Sequence, residues 1–428
     1  MANSKQLIIS KDKLNSYTLV LLLFIPSLTP IIEINIAILS VVTFWLIYNF
    51  NFKYSKDLIQ LVFPLIMILI ISIFSTFFYS SEIFDMVKDF FFIAKPIFYI
   101  FIGYFLITKI NDKDYLFKAI VYIAAFFAII HIYKTVSYII TNDEVDINLM
   151  RNYAGRGSVL EVFALVLLFA KKGKELFKFQ SKYKRIIITI LIISFICYVS
   201  RTVTVSVVLL SLGVNGYLAI TRKGLKYMIY LIVAITALYT YLFSIEPQRG
   251  APGIEGFLYK IKIAPSEIFS SKIDVHDHVD LWDHWRAYEA QKAFEQLHDT
   301  SFHSALFMGK GIGSLVDLEF SAPLNGEEMQ YISVLHNGYA FIAYKAGILG
   351  LMLFLVFLLI LYKQAYVSSK TPKVIIINYL LSGIAIYYMF TTLIVTGTYN
   401  PRDFACIIIG GLLSIRYYLN KNGLEKVN

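Results

Sequence analysis

The stretch 331–363, YISVLHNGYAFIAYKAGILGLMLFLVFLLILYK, decides the class of protein. From residue 338 onward it is predominantly apolar for longer than the ~20 residues that an α-helix needs to cross a bilayer. Directly before this apolar part stand His336 and Asn337, whose polar side chains find no hydrogen-bonding partner in lipid. The stretch therefore predicts a membrane-spanning helix and raises the question of what its histidine contacts.

Comparable apolar runs recur along the 428 residues, of which 58% are hydrophobic and 16% are charged. A soluble domain is usually nearer half apolar and about a quarter charged. Lipid admits only helices or closed barrels, and runs such as IIITILIISFI (186–196) lack the alternation of barrel strands. The sequence therefore predicts an all-α polytopic membrane protein.

About twelve membrane-spanning helices are predicted. The run 17–50 is too long for one crossing, and Pro26 and Pro30 break it. The run 186–220 is also too long, and Arg201 lies in its middle. The predicted spans are 15–30, 32–50, 57–79, 88–108, 114–140, 157–171, 185–200, 203–220, 225–244, 336–362, 373–396 and 402–420.

The distribution of lysine and arginine predicts the orientation of these spans. Connections on the side of the N terminus are basic, as in KKGKELFKFQSKYKR (171–185) and TRKGLK (221–226). The opposite connections are acidic or poor in lysine, as in SSEIFD (80–85) and TNDEVDINLM (141–150). Because basic loops remain in the cytoplasm, both termini are predicted there. The net charge of +10 then reflects topology, and it does not indicate a nucleic acid partner.

One external connection is much longer than the others. Residues 245–335 separate nine predicted spans in 1–244 from three in 336–428. This large loop contains one long helical candidate outside the membrane, LWDHWRAYEAQKAFEQL (281–297). Loops of this length within a compact fold are usually functional. We therefore expect the loop to contribute to a site at the external membrane face.

Several arginines are predicted at that face, where a charge is costly unless it is paired or faces a cavity. Arg201 has two interpretations. Its guanidinium could bind phosphate oxygens from a break between two helices, or it could be a surface residue in a short turn. Arg151 and Arg156 stand in RNYAGRGS and fit either an anion site or contacts with lipid headgroups. For Arg286, the ordinary interpretation is a solvated ion pair with Glu289.

His336 is the most informative of these residues. A histidine at the end of a span is often structural, but its pKa near neutrality also suits a base that takes a proton from a hydroxyl. Asn337 then fits a supporting role, in which it orients the imidazole ring or holds substrate. No spaced Cys/His set or HExxH pattern predicts a metal site, and DVHDHVD (274–280) fits a hydrated acidic loop.

Several stretches together resemble the O-antigen polymerase and ligase family of bacterial envelope polysaccharide assembly. RAYEAQKAFEQ (286–296) and SALFMGKGIGSL (304–315) resemble the family's arginine-led helix and glycine-rich turn. LHNGYAFIAYKAGILGLMLF (335–354) resembles its His-Asn opening and Gly-x-x-Gly helix, and VSRTV (199–203) resembles its Ser-Arg at the end of a middle helix. The resemblance covers most of the chain.

This resemblance implies a glycosyltransferase in the bacterial inner membrane, with its active site facing the periplasm. It would transfer a glycan from an undecaprenyl-pyrophosphate-linked donor to a sugar hydroxyl, without a metal or another cofactor. Arg201 and Arg286 would bind the pyrophosphate, with Arg151 or Arg156 as a further contact, and Arg286 would also act in catalysis. His336 would accept the proton of the acceptor hydroxyl.

The sequence leaves the acceptor open. A polymerase uses another lipid-linked repeat unit as its acceptor, whereas a ligase uses lipid A–core; we expect the polymerase. The glycan acceptor, the lipid-linked donor, the bilayer and a chain-length regulator are the expected partners. A flippase or transporter of lipid-linked glycans is the alternative from another class, but such proteins often show internal repeats and midplane binding groups. Neither feature is evident in this chain.

Overall fold

The computed structural model describes residues 10–28, 32–49, 55–79, 81–142, 147–155, 157–180, 182–251, 254–298, 304–324 and 326–425. Within these residues the chain is mainly helical, with one two-stranded sheet and two short 3₁₀ helices, Lys363–Tyr366 and Gly397–Tyr399. The helices are α1 (Lys11–Leu28), α2 (Ile32–Asn49), α3 (Lys56–Thr76), α4 (Ile83–Lys109), α5 (Tyr115–Thr141), α6 (Ile147–Ala154), α7 (Ser158–Phe169), α8 (Gly173–Leu176), α9 (Lys184–Cys197), α10 (Arg201–Val214), α11 (Arg222–Ile245), α12 (Ile254–Lys262), α13 (Ser266–Phe269), α14 (His278–Asp283), α15 (Trp285–His298), α16 (Ser304–Met308), α17 (Gly338–Tyr362), α18 (Pro372–Val395) and α19 (Ala405–Glu425). The strands are β1 (Val316–Leu324) and β2 (Glu327–Ile332).

Six of the described helices are long and apolar enough to cross a membrane, namely α3, α4, α5, α11, α17 and α18. The other predicted spans are also helical at the predicted places. Three of them contain shorter apolar helices, Ala37–Leu46, Ser158–Phe169 and Arg201–Val214. The architecture is that of an all-α membrane protein.

The long apolar run around Arg201 is broken where the sequence predicts a break. Helix α9 ends at Cys197, and Val199 adopts a positive φ of 41° that β-branched residues rarely occupy. The hydroxyl of Ser200 then accepts the backbone N–H of Val203 and caps α10. Arg201 is therefore the first residue of α10, with its guanidinium at the end of a helix.

Helix α17 is also broken, at Gly347, whose φ of 65° and ψ of −165° are not helical. The glycine loop, residues 309–314, lies against this break. Two of its backbone N–H groups donate to the carbonyl oxygens of Tyr344 and Lys345 at 2.8 and 3.1 Å. A side chain at residue 347 would clash, because a Cβ there would lie 2.2 Å from the carbonyl group of Phe307. The loop thus satisfies acceptors that the break leaves inside the membrane.

A buried ion pair holds the glycine loop in place. Lys345 Nζ lies 2.5 Å from Asp89 Oδ2, and both side chains are inaccessible to solvent, at 1% and 0% exposure. The same carboxylate oxygen accepts the backbone N–H of Gly313 at 2.7 Å, and Lys345 also donates to the carbonyl oxygen of Ser314. This Lys345–Asp89 pair therefore joins α4, α17 and the glycine loop.

The large loop contains helices α12 to α16, as its predicted helical content suggests, and also a β-hairpin that the sequence analysis did not predict. Strands β1 and β2 pair antiparallel, with Val316 opposite Ile332. Tyr288 of α15 donates its O–H to the carbonyl oxygen of Leu318 at 2.6 Å, so α15 packs on the hairpin. Because β2 leads within four residues to His336, the hairpin places α15 beside the start of α17.

Candidate functional site

Three of the predicted arginines meet in one place. Arg151 of α6, Arg201 of α10 and Arg286 of α15 line a single cavity of about 1200 Å³, which we call the arginine cavity. Arg201 and Arg286 are separated by 85 positions in the sequence, and one belongs to an apolar helix while the other belongs to the large loop. The cavity therefore forms only when the loop folds onto the membrane helices.

Glu267, a residue of α13, joins two of these arginines. Its Oε1 lies 2.5 Å from Arg286 Nη1, and its Oε2 lies 2.9 Å from Arg201 Nη2. Arg201 also donates through Nη1 to the carbonyl oxygen of Lys260. The interpretation of Arg201 as a surface-turn residue is thus replaced by a partly buried ion pair, with 25% of its side chain exposed.

The described lining of the cavity carries more cations than anions. Among the described residues that line it, Arg249 and Lys260 add to the three arginines, whereas only Glu267 and Asp283 are acidic. Asp283 is engaged by Arg249, whose Nε lies 3.0 Å from both carboxylate oxygens, and by the O–H of Tyr259 at 2.7 Å. The surplus of positive charge favours an anionic ligand with several oxygen acceptors.

Arg151 is the third arginine of the cavity and is partly buried. Its Nη2 donates to the hydroxyl of Ser200 at 3.4 Å. Burial lowers the pKa of Arg151, and the positive charges of Arg201 and Arg286 lower it further. The three guanidiniums are therefore close enough to repel one another, and an anion between them would relieve that repulsion. Arg156, the other arginine of this predicted pair, lies outside the described residues.

Arg286 has a further unused donor. Within the described part of the chain, its buried Nε has no hydrogen-bond acceptor. A buried donor without an acceptor costs about 1–3 kcal/mol. The guanidinium therefore uses only some of its donors in this structure.

His336 contacts α15 one turn beyond Arg286. Its ring Nδ1 lies 3.0 Å from both carboxylate oxygens of Glu289, and its backbone N–H donates to Glu289 Oε2 at 3.0 Å. Glu289 is buried, with 2% of its side chain exposed, whereas the imidazole is 48% exposed. The prediction of an ion pair between Arg286 and Glu289 is therefore wrong. Arg286 pairs with Glu267, and Glu289 contacts His336.

Two hydrogen bonds from Thr396 hold the backbone of Leu335 and His336 next to the end of α18. Val395, the last residue of α18, lines the cavity. The backbone N–H of the next residue, Thr396, donates to the carbonyl oxygen of His336 at 2.7 Å. The hydroxyl of Thr396 donates to the carbonyl oxygen of Leu335 at 2.8 Å. His336 is not among the described residues that line the cavity. It is joined to two of them indirectly, through Thr396, which follows Val395, and through Glu289, which lies one turn from Arg286 on α15.

Asn337 serves as a helix cap. Its Oδ1 accepts the backbone N–H groups of Tyr339 and Ala340 at 3.0 and 3.3 Å, which caps the start of α17. The predicted role of Asn337 in orienting the imidazole is replaced by this contact, since Glu289 holds the ring. The amide thus fixes where α17 begins, directly after His336.

Sequence reasoning missed Glu267 as a partner and did not recognise what Glu289 contacts. Glu289 follows Arg286 by three positions on a predicted helix, and this spacing places both on one face. This spacing indicates an ion pair within the helix, and it does not indicate the contact with His336. Glu267 stands in a short irregular segment with no periodic pattern, so its contacts with two distant arginines depend on the tertiary structure.

No protein-family model matches this chain, and no curated protein matches it significantly. Among the described residues, no group of three His, Cys, Asp or Glu side chains is arranged to hold a metal ion. The geometry of the arginine cavity and of His336 is therefore the main guide to function.

Proposed function

We propose that this protein is a bacterial polysaccharide polymerase that transfers a glycan from a polyprenyl-pyrophosphate donor to a sugar hydroxyl of another lipid-linked repeat unit. The observation that carries the proposal is the meeting of Arg151, Arg201 and Arg286 in one cationic cavity. His336 contacts Glu289, which lies one turn from Arg286 on α15. A pyrophosphate leaving group needs cations where its charge develops, and a hydroxyl acceptor needs a base.

The guanidiniums would bind the pyrophosphate. Arginine presents a planar fork of donors that matches phosphate oxygens and remains charged at any relevant pH. The carboxylate of Glu267 already bridges Arg201 and Arg286 with its two oxygens. A phosphate group offers acceptors of similar spacing, so the donor would bind here by displacing Glu267 or by sharing the arginines with it.

His336 would act as the base in a direct displacement. The O–H bond of the acceptor breaks, its proton passes to His336, and its oxygen forms the new bond to the anomeric carbon of the donor sugar. The bond between that carbon and the pyrophosphate oxygen breaks, and its electron pair leaves with the pyrophosphate towards the arginines. Water later takes the proton from the imidazolium.

The membrane arrangement that accompanies this function is also a proposal. Twelve spans with both termini in the cytoplasm would place the arginine cavity at the periplasmic face of the inner membrane. A lipid-linked donor would then enter with its isoprenoid chain in the bilayer and its pyrophosphate at the membrane surface. Cationic side chains at this level are costly unless a ligand or partner offsets them.

The test is transfer by purified protein in lipid vesicles that contain a defined undecaprenyl-pyrophosphate-linked oligosaccharide and no transmembrane gradient. We expect longer lipid-linked glycans from the native protein, and a loss of roughly 100-fold or more in rate for His336→Ala, since general base catalysis contributes about 10²–10⁴-fold. His276→Ala is the matched control, because His276 is an exposed loop residue outside the cavity.

The outcome separates the candidate functions. Normal chain lengths from His336→Ala would remove this residue from the mechanism. In a parallel assay whose vesicles also contain lipid A–core, transfer that occurs only to lipid A–core would indicate a ligase. Movement of the donor across the vesicle membrane without any glycan elongation would instead indicate a flippase.

A further inference from the structure

The proposed base, His336, contacts the buried carboxylate of Glu289. Glu289 lies on α15, and all of the hydrogen bonds shown for its carboxylate within the described residues go to His336. Its helix neighbour Arg286 turns instead to Glu267. A buried carboxylate is costly unless its partners stabilise the charge, so a contact made solely with a half-exposed imidazole calls for an explanation.

The contact determines which ring nitrogen of His336 can accept a proton. An ionised carboxylate only accepts hydrogen bonds, so the Nδ1 atom that faces both oxygens at 3.0 Å must carry the hydrogen. The second nitrogen, Nε2, is then the basic one. Since 48% of the side chain is exposed, this basic nitrogen remains available to a substrate.

The same carboxylate also fixes the main chain. Its Oε2 accepts the backbone N–H of His336, while Thr396 binds the carbonyl oxygen of the same residue. The imidazole is therefore held by its ring and by both sides of its peptide backbone. Because Glu289 and Arg286 are one turn apart on α15, a single helix sets the position of the imidazole relative to the anion-binding guanidinium.

We propose that Glu289 is a positioning residue for the glycan transfer. It keeps the hydrogen of His336 on Nδ1, presents Nε2 to the acceptor hydroxyl, and stabilises the imidazolium that forms when Nε2 takes the proton. The electron pair of the hydroxyl oxygen meanwhile forms the glycosidic bond, and the pyrophosphate leaves with the pair of the broken bond. This inference rests on the proposed function, and it names the residue that makes His336 a base.

Glu289→Gln tests the proposal with little change in shape. The amide oxygen still accepts one N–H group, but the amide N–H₂ presents a donor where the carboxylate had an acceptor. That donor favours the opposite tautomer, in which Nδ1 accepts and Nε2 carries the hydrogen. We expect kcat in the vesicle assay to fall roughly 100-fold, while the KM for the lipid-linked oligosaccharide remains within about twofold, since the arginines are unchanged.

Glu295→Gln is the matched control. Glu295 lies on the same helix, is 44% exposed and pairs with Lys292, so the same substitution there should leave both kinetic parameters unchanged. A purely structural role for Glu289 would instead lower the yield of folded protein or raise the KM, because α15 also carries Arg286. Equal kcat for Glu289→Gln and Glu295→Gln would overturn the proposal.

Glu289→Asp covers the case in which the glutamine variant does not fold. It keeps the charge but retracts the carboxylate by one methylene, so we expect a kcat between those of Glu289→Gln and the native protein. A native kcat for the aspartate variant would count against the proposal. If the native protein elongates the glycan and only these variants disagree, Glu289 alone is misassigned; if the native protein transfers nothing, the proposed function fails as well.

Discussion

The Lys345–Asp89 pair and the arginine cavity both combine cations with carboxylates, but we assign a structural role to the first and a ligand-binding role to the second. Lys345 and Asp89 pair one cation with one carboxylate away from solvent, and the backbone N–H of Gly313 and the carbonyl oxygen of Ser314 add hydrogen bonds to the pair. In the arginine cavity, Glu267 faces both Arg201 and Arg286, and each side chain remains 17–25% exposed. Charge is balanced in the first cluster and in surplus in the second.

The difference teaches how a charged group in a membrane protein can be assigned. A buried pair in which each charge has its partner leaves no place for a ligand, and its removal affects the fold. A cluster with more cations than anions, open to a cavity of about 1200 Å³, attracts an anion. Variants in the two clusters should therefore change different measured quantities.

The largest expected effect is on stability, from Lys345→Met. This change leaves the carboxylate of Asp89 buried without its cation, and breaking such a pair costs about 3–5 kcal/mol. We expect a clear fall in the thermal unfolding midpoint of the purified protein in detergent. The double variant Lys345→Met/Asp89→Asn should recover much of this loss, because no uncompensated charge remains. A single variant as stable as the native protein would show that the pair does not hold the glycine loop.

The comparison also shows what the sequence could predict. Long apolar runs predict helices, so the six long apolar helices and the break before Arg201 follow from length and composition. The gathering of Arg151, Arg201 and Arg286 was expected from the cost of charge at the membrane face and from a family resemblance. Each of these inferences uses a property of the residue itself or of its immediate neighbours.

Contacts between distant segments that no family resemblance indicates were not predicted. Lys345 and Asp89 are 256 positions apart, and neither stands in a motif that predicts a partner. The β-hairpin was missed although Val316 and Leu318 alternate with polar residues, because strand signals of this length are weak beside nearby helices. Asn337 was assigned to the site for its position beside His336, whereas the preference of asparagine for helix starts explains it better.

The next effect in size concerns activity, from Arg201→Lys. Lysine keeps the charge but loses the fork that binds two oxygens at once. Hydrogen bonds to charged groups contribute about 1.5–3 kcal/mol, so we expect a loss of roughly 10- to 100-fold in kcat/KM for the lipid-linked donor, with little change in thermal stability. Arg185→Lys, at an exposed residue outside the cavity, is the control. A loss of stability without a loss of activity would move Arg201 into the same class as Lys345.

The smallest effect is expected from Glu267→Gln, and its direction is the informative part. The carboxylate competes with an incoming anion for Arg201 and Arg286, so its neutral replacement should bind inorganic pyrophosphate more tightly. Partly exposed ion pairs contribute about 0.2–1 kcal/mol, which corresponds to a gain of roughly 1.4- to fivefold in affinity by titration calorimetry. The equivalent change at an exposed acid, Glu295→Gln, should leave the affinity unchanged. Weaker binding by Glu267→Gln would mean that this carboxylate holds the arginines in place, as Asp89 holds Lys345. Both clusters would then have a structural carboxylate, although their exposure to solvent differs.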